Sequence, residues 1–385
     1  MCSKILLFSR DPGGANTIFP LIDPLKESGF LISLYGKDFA LNRYKQFGFE
    51  GKNIMDEISF ITVESLISFL KANSPDFIIT GTSENDFTEK YMWKAAEQLH
   101  IPCFAILDYW VNYSIRFSAY NCLDIKNYDS NNASFPYLPT KILVMDEYAK
   151  KKMIDTGIDK NKIIISGQSY FDLLLNIKNK ITLDEMKECR KFFKCDKNDF
   201  LIIFASEPIT EYYNETDDSD HYWGYSERTI FRKLCEAILI VLKNIGVKIK
   251  IVLRPHPKED HDNFFDLKNE FNQKGLDIVI DRSYNPFVEM KAADLVIGMS
   301  SMFLTESAIL GTRIMSVQIG LTRENPFILD HRGIVKSILT FGELIDQLYK
   351  IIVEEKINQQ QFNIEFGAIK KILNYVKGYL NQNKF

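Results

Sequence analysis

Ile249 to Asp260 reads IKIVLRPHPKED, and Ala292 to Gly311 reads AADLVIGMSSMFLTESAILG. The first is an apolar, β-rich run that breaks at Arg254, Pro255, His256 and Pro257, with Lys258 next in the same loop. In the second, Asp294 to Ile297 breaks at Gly298 into Ser300 and Ser301, and a helix-like stretch carrying Glu306 follows to Gly311. Short, nearly continuous apolar runs are those of parallel strands buried on both faces. In an open α/β sheet, ligands bind just beyond the carboxyl ends of such strands. The second loop leads into a helix, so free backbone N–H groups and two hydroxyls would face an anion. Arg254, His256 and that helix start are therefore predicted to form a phosphate cradle. Taken singly, Arg-Pro-His-Pro is also a stiff turn and Ser-Ser also an N-cap. Their arrival in order, about one βαβα unit apart, favours the functional reading.

Outward from this stretch, the chain of 385 residues is too long for one ordinary core, and two domains are expected. A hydrophobic content of 46% and a charged content of 25% describe a soluble globular protein. The net charge of −4 argues against a nucleic-acid binder, which needs a basic face. The six cysteines, Cys2, Cys103, Cys122, Cys189, Cys195 and Cys235, show neither a C-x-x-C pair nor a metal-like spacing. A reducing compartment is expected, and no disulfide framework. The apolar run in MCSKILLFSRDPGG is too short for a signal peptide, and none approaches the roughly 20 residues that span a bilayer. The expected location is the cytoplasm, and peripheral contact with the inner face of the membrane stays compatible with it.

Lys4 to Ser9 reads as a strand, Asp11 to Asn16 as a Gly-rich loop, and Thr17 to Ser28 as a helix stopped by Gly29. Gly13 and Gly14 let backbone approach a ligand closely, and serve a tight turn equally well. The loop lacks the G-x-G-x-x-G fingerprint, so no dinucleotide is inferred. Further strands are expected at Phe30–Tyr35, Ile58–Val63, Asp76–Thr80, from Ile101 to near Asp108, Lys141–Met145 and Lys162–Ser166, with a helix over Phe87–Leu99. Asp124 to Thr140 reads as a flexible surface loop, and Leu173 to Asp199 as a charged, Lys-rich connection between the domains, helical in period. In the second half, strands are expected at Phe200–Ala205, Leu276–Ile280 and Arg313–Val317, and helices at Thr229–Ile245 and Asn285–Ala292. Asp217, Asp218, Asp220 and His221 could be drawn as a metal site, but a solvated loop accounts for them better, since hard-metal loops need oxygens at defined spacing. No metal ligands are assigned.

RPHP followed by G-x-S-S-x-x-x-x-E-x-x-x-x-G resembles the C-terminal domain of GT-B-type enzymes, bacterial capsule, teichoic-acid and polysialyltransferase-like transferases among them. The run from Lys141 to Asp172, ending I-x-x-x-G-x-x-x-x-D, is similar to the end of the N-terminal domain in GT-B transferases and sugar-nucleotide 2-epimerases. The resemblance implies an α/β, GT-B-like fold of two Rossmann-like domains facing an interdomain cleft. Residues 1–172 would form the acceptor-side domain, 173–199 the connection and 200–365 the nucleotide-donor domain, with 366–385 a helix crossing back. It also implies that Ser206, Glu207, Arg254, His256, Pro257, Lys258, Ser300, Ser301 and Glu306 hold the donor. Gly13, Gly14, Asn16, Trp110, Asn112 and Arg116 would line the acceptor side, although Trp110 would equally suit inward packing.

The function so implied is a metal-independent glycosyltransferase in bacterial surface polysaccharide synthesis. It would use a CMP-, CDP- or UDP-linked sugar as co-substrate, a glycan or other hydroxyl as acceptor, and no further cofactor. His256, Arg254, Ser300 and Ser301 would stabilise the departing phosphate, and a carboxylate would take the acceptor proton. Asp11 and Asp108 compete for that role because strand exits in a parallel sheet share one edge, and Glu84 and Asp86 stand next. Three alternatives share the motifs or the fold. They are a CDP-polyol phosphotransferase, a sugar-nucleotide 2-epimerase or hydrolase, for which the carboxylate set in the N-terminal loops reads as incomplete, and a nucleotide-binding scaffold without catalysis.

Overall fold

The computed structural model describes residues 2–120, 134–210, 222–257, 259–353 and 366–382. Lys258, the Asp217–His221 cluster and most of the Asp124–Thr140 segment lie outside the described residues. The chain divides into two compact units, Met1–Leu173 with Ile364–Phe385, and Leu174–Asn363.

Seven strands form the sheet of the first unit: β1 (Lys4–Ser9), β2 (Leu31–Gly36), β3 (Lys52–Asn53), β4 (Phe77–Thr80), β5 (Cys103–Ile106), β6 (Lys141–Val144) and β7 (Ile163–Ile165). Their order is β3-β2-β1-β4-β5-β6-β7, and every pairing is parallel. Ile5 to Phe8 of β1 are wholly buried, as an apolar run covered on both faces requires. The Ala368–Gln382 helix belongs to this unit: Asp172 accepts the backbone N–H groups of Gly367 (2.7 Å) and Ile369 (2.9 Å), and Tyr379 packs edge-on against Phe104.

The second unit carries β8 (Phe200–Ala205), β9 (Ile249–Arg254), β10 (Asp277–Ile280), β11 (Leu295–Gly298) and β12 (Ile314–Ser316). The order is β10-β9-β8-β11-β12, again with parallel pairings. Each sheet thus reverses its strand order once, between β1 and β4 and between β8 and β11. At such a switch point the two exit loops part and leave room for a ligand. Two parallel sheets wrapped by helices constitute the expected α/β, Rossmann-like architecture.

Two local expectations need correction. The first helix starts at Pro12 rather than Thr17, and runs as Pro12–Ile18, a 3-10 turn and Ile22–Glu27. Proline has its φ set for a helix start and loses no bond there, so Gly13 and Gly14 lie in a helical turn, with Asp11 as N-cap. Ile58–Val63 is no strand; Phe60 is 78% exposed, and the sheet edge is taken by β3 against β2. The stretch 173–199 is helical, as its period suggests: Ser169–Lys180 and Leu183–Phe192 are helices, the second opened by a Thr182–Glu185 capping box. Arg190 ties that second helix to the sheet through Asp294 (2.9 Å) and the Ala292 carbonyl (3.1 Å).

Candidate functional site

The switch point of the first unit is built from the exits of β1, β4 and β5. Gly14 and Gly81 bring the exits of β1 and β4 into backbone contact, and a Cβ on Gly81 would sit 2.7 Å from the Gly14 Cα. Asp108, leaving β5, reaches across to the first helix turn, so that a Cβ on Gly13 would lie 2.0 Å from its Oδ2. The other carboxylate oxygen accepts Arg116 Nη1 (2.8 Å) and the Thr82 hydroxyl (3.3 Å). Arg116, 4% exposed, also donates to the Thr82 carbonyl (3.1 Å) and to the Glu84 carboxylate, whose second oxygen accepts Asn112 (2.9 Å). Asp11 accepts Ser83 (2.6 Å) and Arg10 (2.7 Å). Burial pushes the carboxyls of Asp108 and Glu84 up, and Arg116 opposes the shift in both.

Glu89, 1% exposed, stands behind this group. Its Oε1 accepts the Arg10 backbone N–H (3.0 Å), while its buried Oε2 meets no hydrogen-bond donor. Burial, with Asp11 and Asp86 nearby, raises this carboxyl to about 8. Asp86 pairs with Lys37 (2.6 Å) and caps Thr88 (2.8 Å), so it serves the loop as a structural anchor.

At the switch point of the second unit the structure departs from the expected cradle. The N-terminal N–H of the Met302–Leu310 helix does face an anion, but that anion is the Glu207 carboxylate. It accepts the backbone N–H groups of Ser300 and Ser301 (2.6 Å for the latter) and the Ser300 hydroxyl (3.0 Å). Burial pushes Glu207 up and these bonds hold it down. The Ser301 and Thr305 hydroxyls are buried without a hydrogen-bond partner, and Glu306 is half-buried on the same helix. Ser206 donates to Glu259 (2.8 Å), which also accepts the His256 backbone N–H (2.6 Å) and which burial raises to about 7. His256 is half-buried and Pro257 exposed in a loop whose carbonyls Arg282 gathers, at 3.2 Å for His256 and Glu259.

Two residues expected to touch ligand have partners within the fold. Arg254 pairs with the wholly buried Glu289 and donates to the Tyr284 and Arg282 carbonyls, which ties the exit of β9 to the Pro286–Ala292 helix. Trp110, 3% exposed, stacks on Phe171 at 5.6 Å and donates to Asp146 (2.9 Å), the packing role its sequence context equally allowed. Asn16 is half-buried and accepts Arg43 (2.7 Å). Among the described residues no set of three His, Cys, Asp or Glu side chains is arranged to hold a metal ion, and no helix is long and apolar enough to cross a membrane.

No family model and no curated protein sequence matches the chain. Solved structures do. The UDP-GlcNAc 2-epimerase of Neisseria meningitidis, in a crystal structure bound to UDP-GlcNAc, superposes with a TM-score of 0.67 at 15% identity, covering 99% of this chain and 100% of its own. The UDP-GlcNAc 2-epimerase of Methanocaldococcus jannaschii gives 0.64 at 15% identity, covering 97% and 99%. MurG of Acinetobacter baumannii gives 0.56 at 11% identity, covering 98% and 99%. At such identities the likeness is one of fold. The chain has the GT-B fold.

Sequence reasoning missed Glu89, Lys90, Glu259 and Arg282. A signal was present for the first two, since Thr88-Glu89-Lys90 opens a helix whose face toward the sheet should be apolar, yet all three are buried. Glu259 and Arg282 gave no such signal, because their partners come from another strand exit.

Proposed function

We propose that this chain is an enzyme acting on a nucleotide-activated sugar, by proton transfer at the sugar ring rather than by glycosyl transfer to an acceptor. The observation that carries this reading is the contact of Arg116 with both Asp108 and Glu84, beside Asp11. Burial pushes both carboxyls up while the shared Arg116 guanidinium opposes the shift, so the group offers both a proton acceptor and a proton donor. Taking the proton from C2 of such a sugar needs a base, and the electron pair left behind forms a C1=C2 double bond as the nucleotide leaves C1. An acid on the other face returns a proton to C2 as the nucleotide re-adds at C1, which inverts the carbon. Displacement at the anomeric carbon needs only the base. In this reading Asp11, Glu84 and Asp108 act as the carboxylate set that reads as incomplete in sequence. Asp11 and Asp108 are the two bases in contention, and Glu84, 24% exposed and pushed up by burial, is the acid.

The second unit takes the nucleotide in this reading, through Ser300, Ser301 and His256, with Ser206 and Glu207 in the adjoining strand exit. The likeness to epimerases, one of them bound to UDP-GlcNAc, supports a UDP-sugar as the first substrate to try. Glycosyl transfer, with a CMP-, CDP- or UDP-sugar and a glycan acceptor, is the second reading, favoured by the RPHP and Ser-Ser motifs.

The test is incubation with UDP-GlcNAc in D2O without acceptor, followed by NMR. Deuterium appearing at C2, or release of UDP, supports the first reading. Consumption only when an acceptor is added favours the second. A panel of UDP-, CDP- and CMP-sugars left untouched, with and without acceptor, removes both. Asp11→Asn and Asp108→Asn identify the base, which loses turnover and keeps nucleotide affinity.

A further inference from the structure

The first turn of the Thr88–Gln98 helix holds three consecutive buried polar residues, Thr88, Glu89 and Lys90, at 0%, 1% and 0% exposure. Successive helical residues point about 100° apart, so the three side chains reach three different loops. Thr88 bonds Asp86 in the exit of β4, and Glu89 bonds the Arg10 backbone in the exit of β1. Lys90 takes the exit of β5. Its ammonium donates to the carbonyls of Ile115 (2.8 Å), Ser118 (3.0 Å) and Tyr120, and lies 4.8 Å from the Phe87 ring centre. Those carbonyls enclose the 3-10 turn Ile115–Phe117, from which Arg116 extends to Asp108, Thr82 and Glu84.

We infer that Lys90 is a positioning residue which, through the carbonyls of residues 115, 118 and 120, holds Arg116 in its bridge between Asp108 and Glu84. An irregular turn could be packed with apolar side chains at no electrostatic cost. A buried ammonium is costly unless fully bonded, and here its bonds converge on the segment that delivers Arg116. The lysine acts on the proton chemistry only through that arginine. The inference rests on the reading that Asp108 and Glu84 do this chemistry.

The test compares Lys90→Met, which keeps the length and removes the charge, with Lys90→Arg, which keeps a donor cation. Binding of UDP-GlcNAc is read by calorimetry, and turnover across pH 5 to 9. For Lys90→Met the dissociation constant should change less than about threefold, while turnover falls at least tenfold, as loss of a positioned charge does. The acidic limb of the kcat/KM profile should move up, since Arg116 lowers both carboxyls. Lys90→Arg should restore both. A lowered melting temperature with the acidic limb unmoved overturns the inference and leaves Lys90 structural. If the wild type turns over no nucleotide sugar, the functional reading falls separately. The inference is then decided by the 13C carboxyl titration of Asp108, assigned with Asp108→Asn. An upward shift in Lys90→Met supports it and none overturns it. Should Lys90→Met fail to fold, Lys90→Gln takes its place in each measurement.

Discussion

On the proposed reading, in which the nucleotide phosphate meets Ser300 and Ser301, the carboxylate of Glu207 already sits on the backbone N–H groups of both. A phosphate bound there must displace it, and two anions so close repel. Glu207→Gln is therefore expected to tighten UDP binding about tenfold, or 1.4 kcal/mol, measured by calorimetry at pH 8. Weaker binding would instead make the carboxylate a ligand contact. Gly13 shows the opposite constraint, a position where nothing may be added. A methyl group there would meet Asp108 Oδ2 at 2.0 Å, and Arg116 and Thr82 already hold that side chain. Gly13→Ala should cost about 1–3 kcal/mol in urea unfolding, as overpacking does. Unchanged stability would mean that Asp108 swings aside freely.

The Met302–Leu310 helix is finished at both ends by charges from other elements. Glu207 meets its N-terminus, while Lys178 and Lys291 donate to the Ile309 (3.3 Å) and Leu310 (3.2 Å) carbonyls at its other end. That arrangement matches the helix dipole, positive at the start and negative at the end. Gly311 then stops the helix with φ of +89°, where a side chain would be strained. Lys291→Met should lower stability by about 0.5–1 kcal/mol at low salt. The loss should shrink in 1 M NaCl, where the Debye length is about 3 Å. A loss independent of salt would assign Lys291 to packing.

Across the whole molecule, buried carboxyls make stability depend on pH in an unusual direction. Glu89 titrates near 4.5 when free and near 8 in the fold, so between these values the folded chain keeps a proton that the unfolded chain has released. Stability from this group is therefore lost as pH rises from about 4.5 to about 8, on the order of a few kcal/mol in all. Glu259, raised to about 7, adds to the same slope. Calorimetric melting temperatures should fall between pH 5 and 8, and Glu89→Gln should flatten much of the fall. A melting temperature that rises through this range would show Glu89 to be ionised in the fold.

The sequence by itself determined the parallel sheets. Runs such as Lys4–Ser9 and Phe200–Ala205 coincide with β1 and β8, because strands buried on both faces must be apolar along their length. It also brought Asp11, Gly13, Asp108, Arg116, Ser300 and Ser301 to strand exits, since a parallel sheet delivers all its exits to one edge. Short polar-flanked elements were less legible. The start at Pro12 and the edge strand Lys52–Asn53 carry little periodicity, and tertiary contacts set their limits. What only the tertiary structure decided is which charges meet. Arg254 carries the same cation whether it faces a phosphate or Glu289, and Glu207 the same carboxylate whether it binds a ligand or caps a helix. Spacing along the chain places a group at a strand exit, but its partner comes from a different exit. For Lys90 that partner is a set of backbone carbonyls, which every residue carries and no sequence pattern can mark.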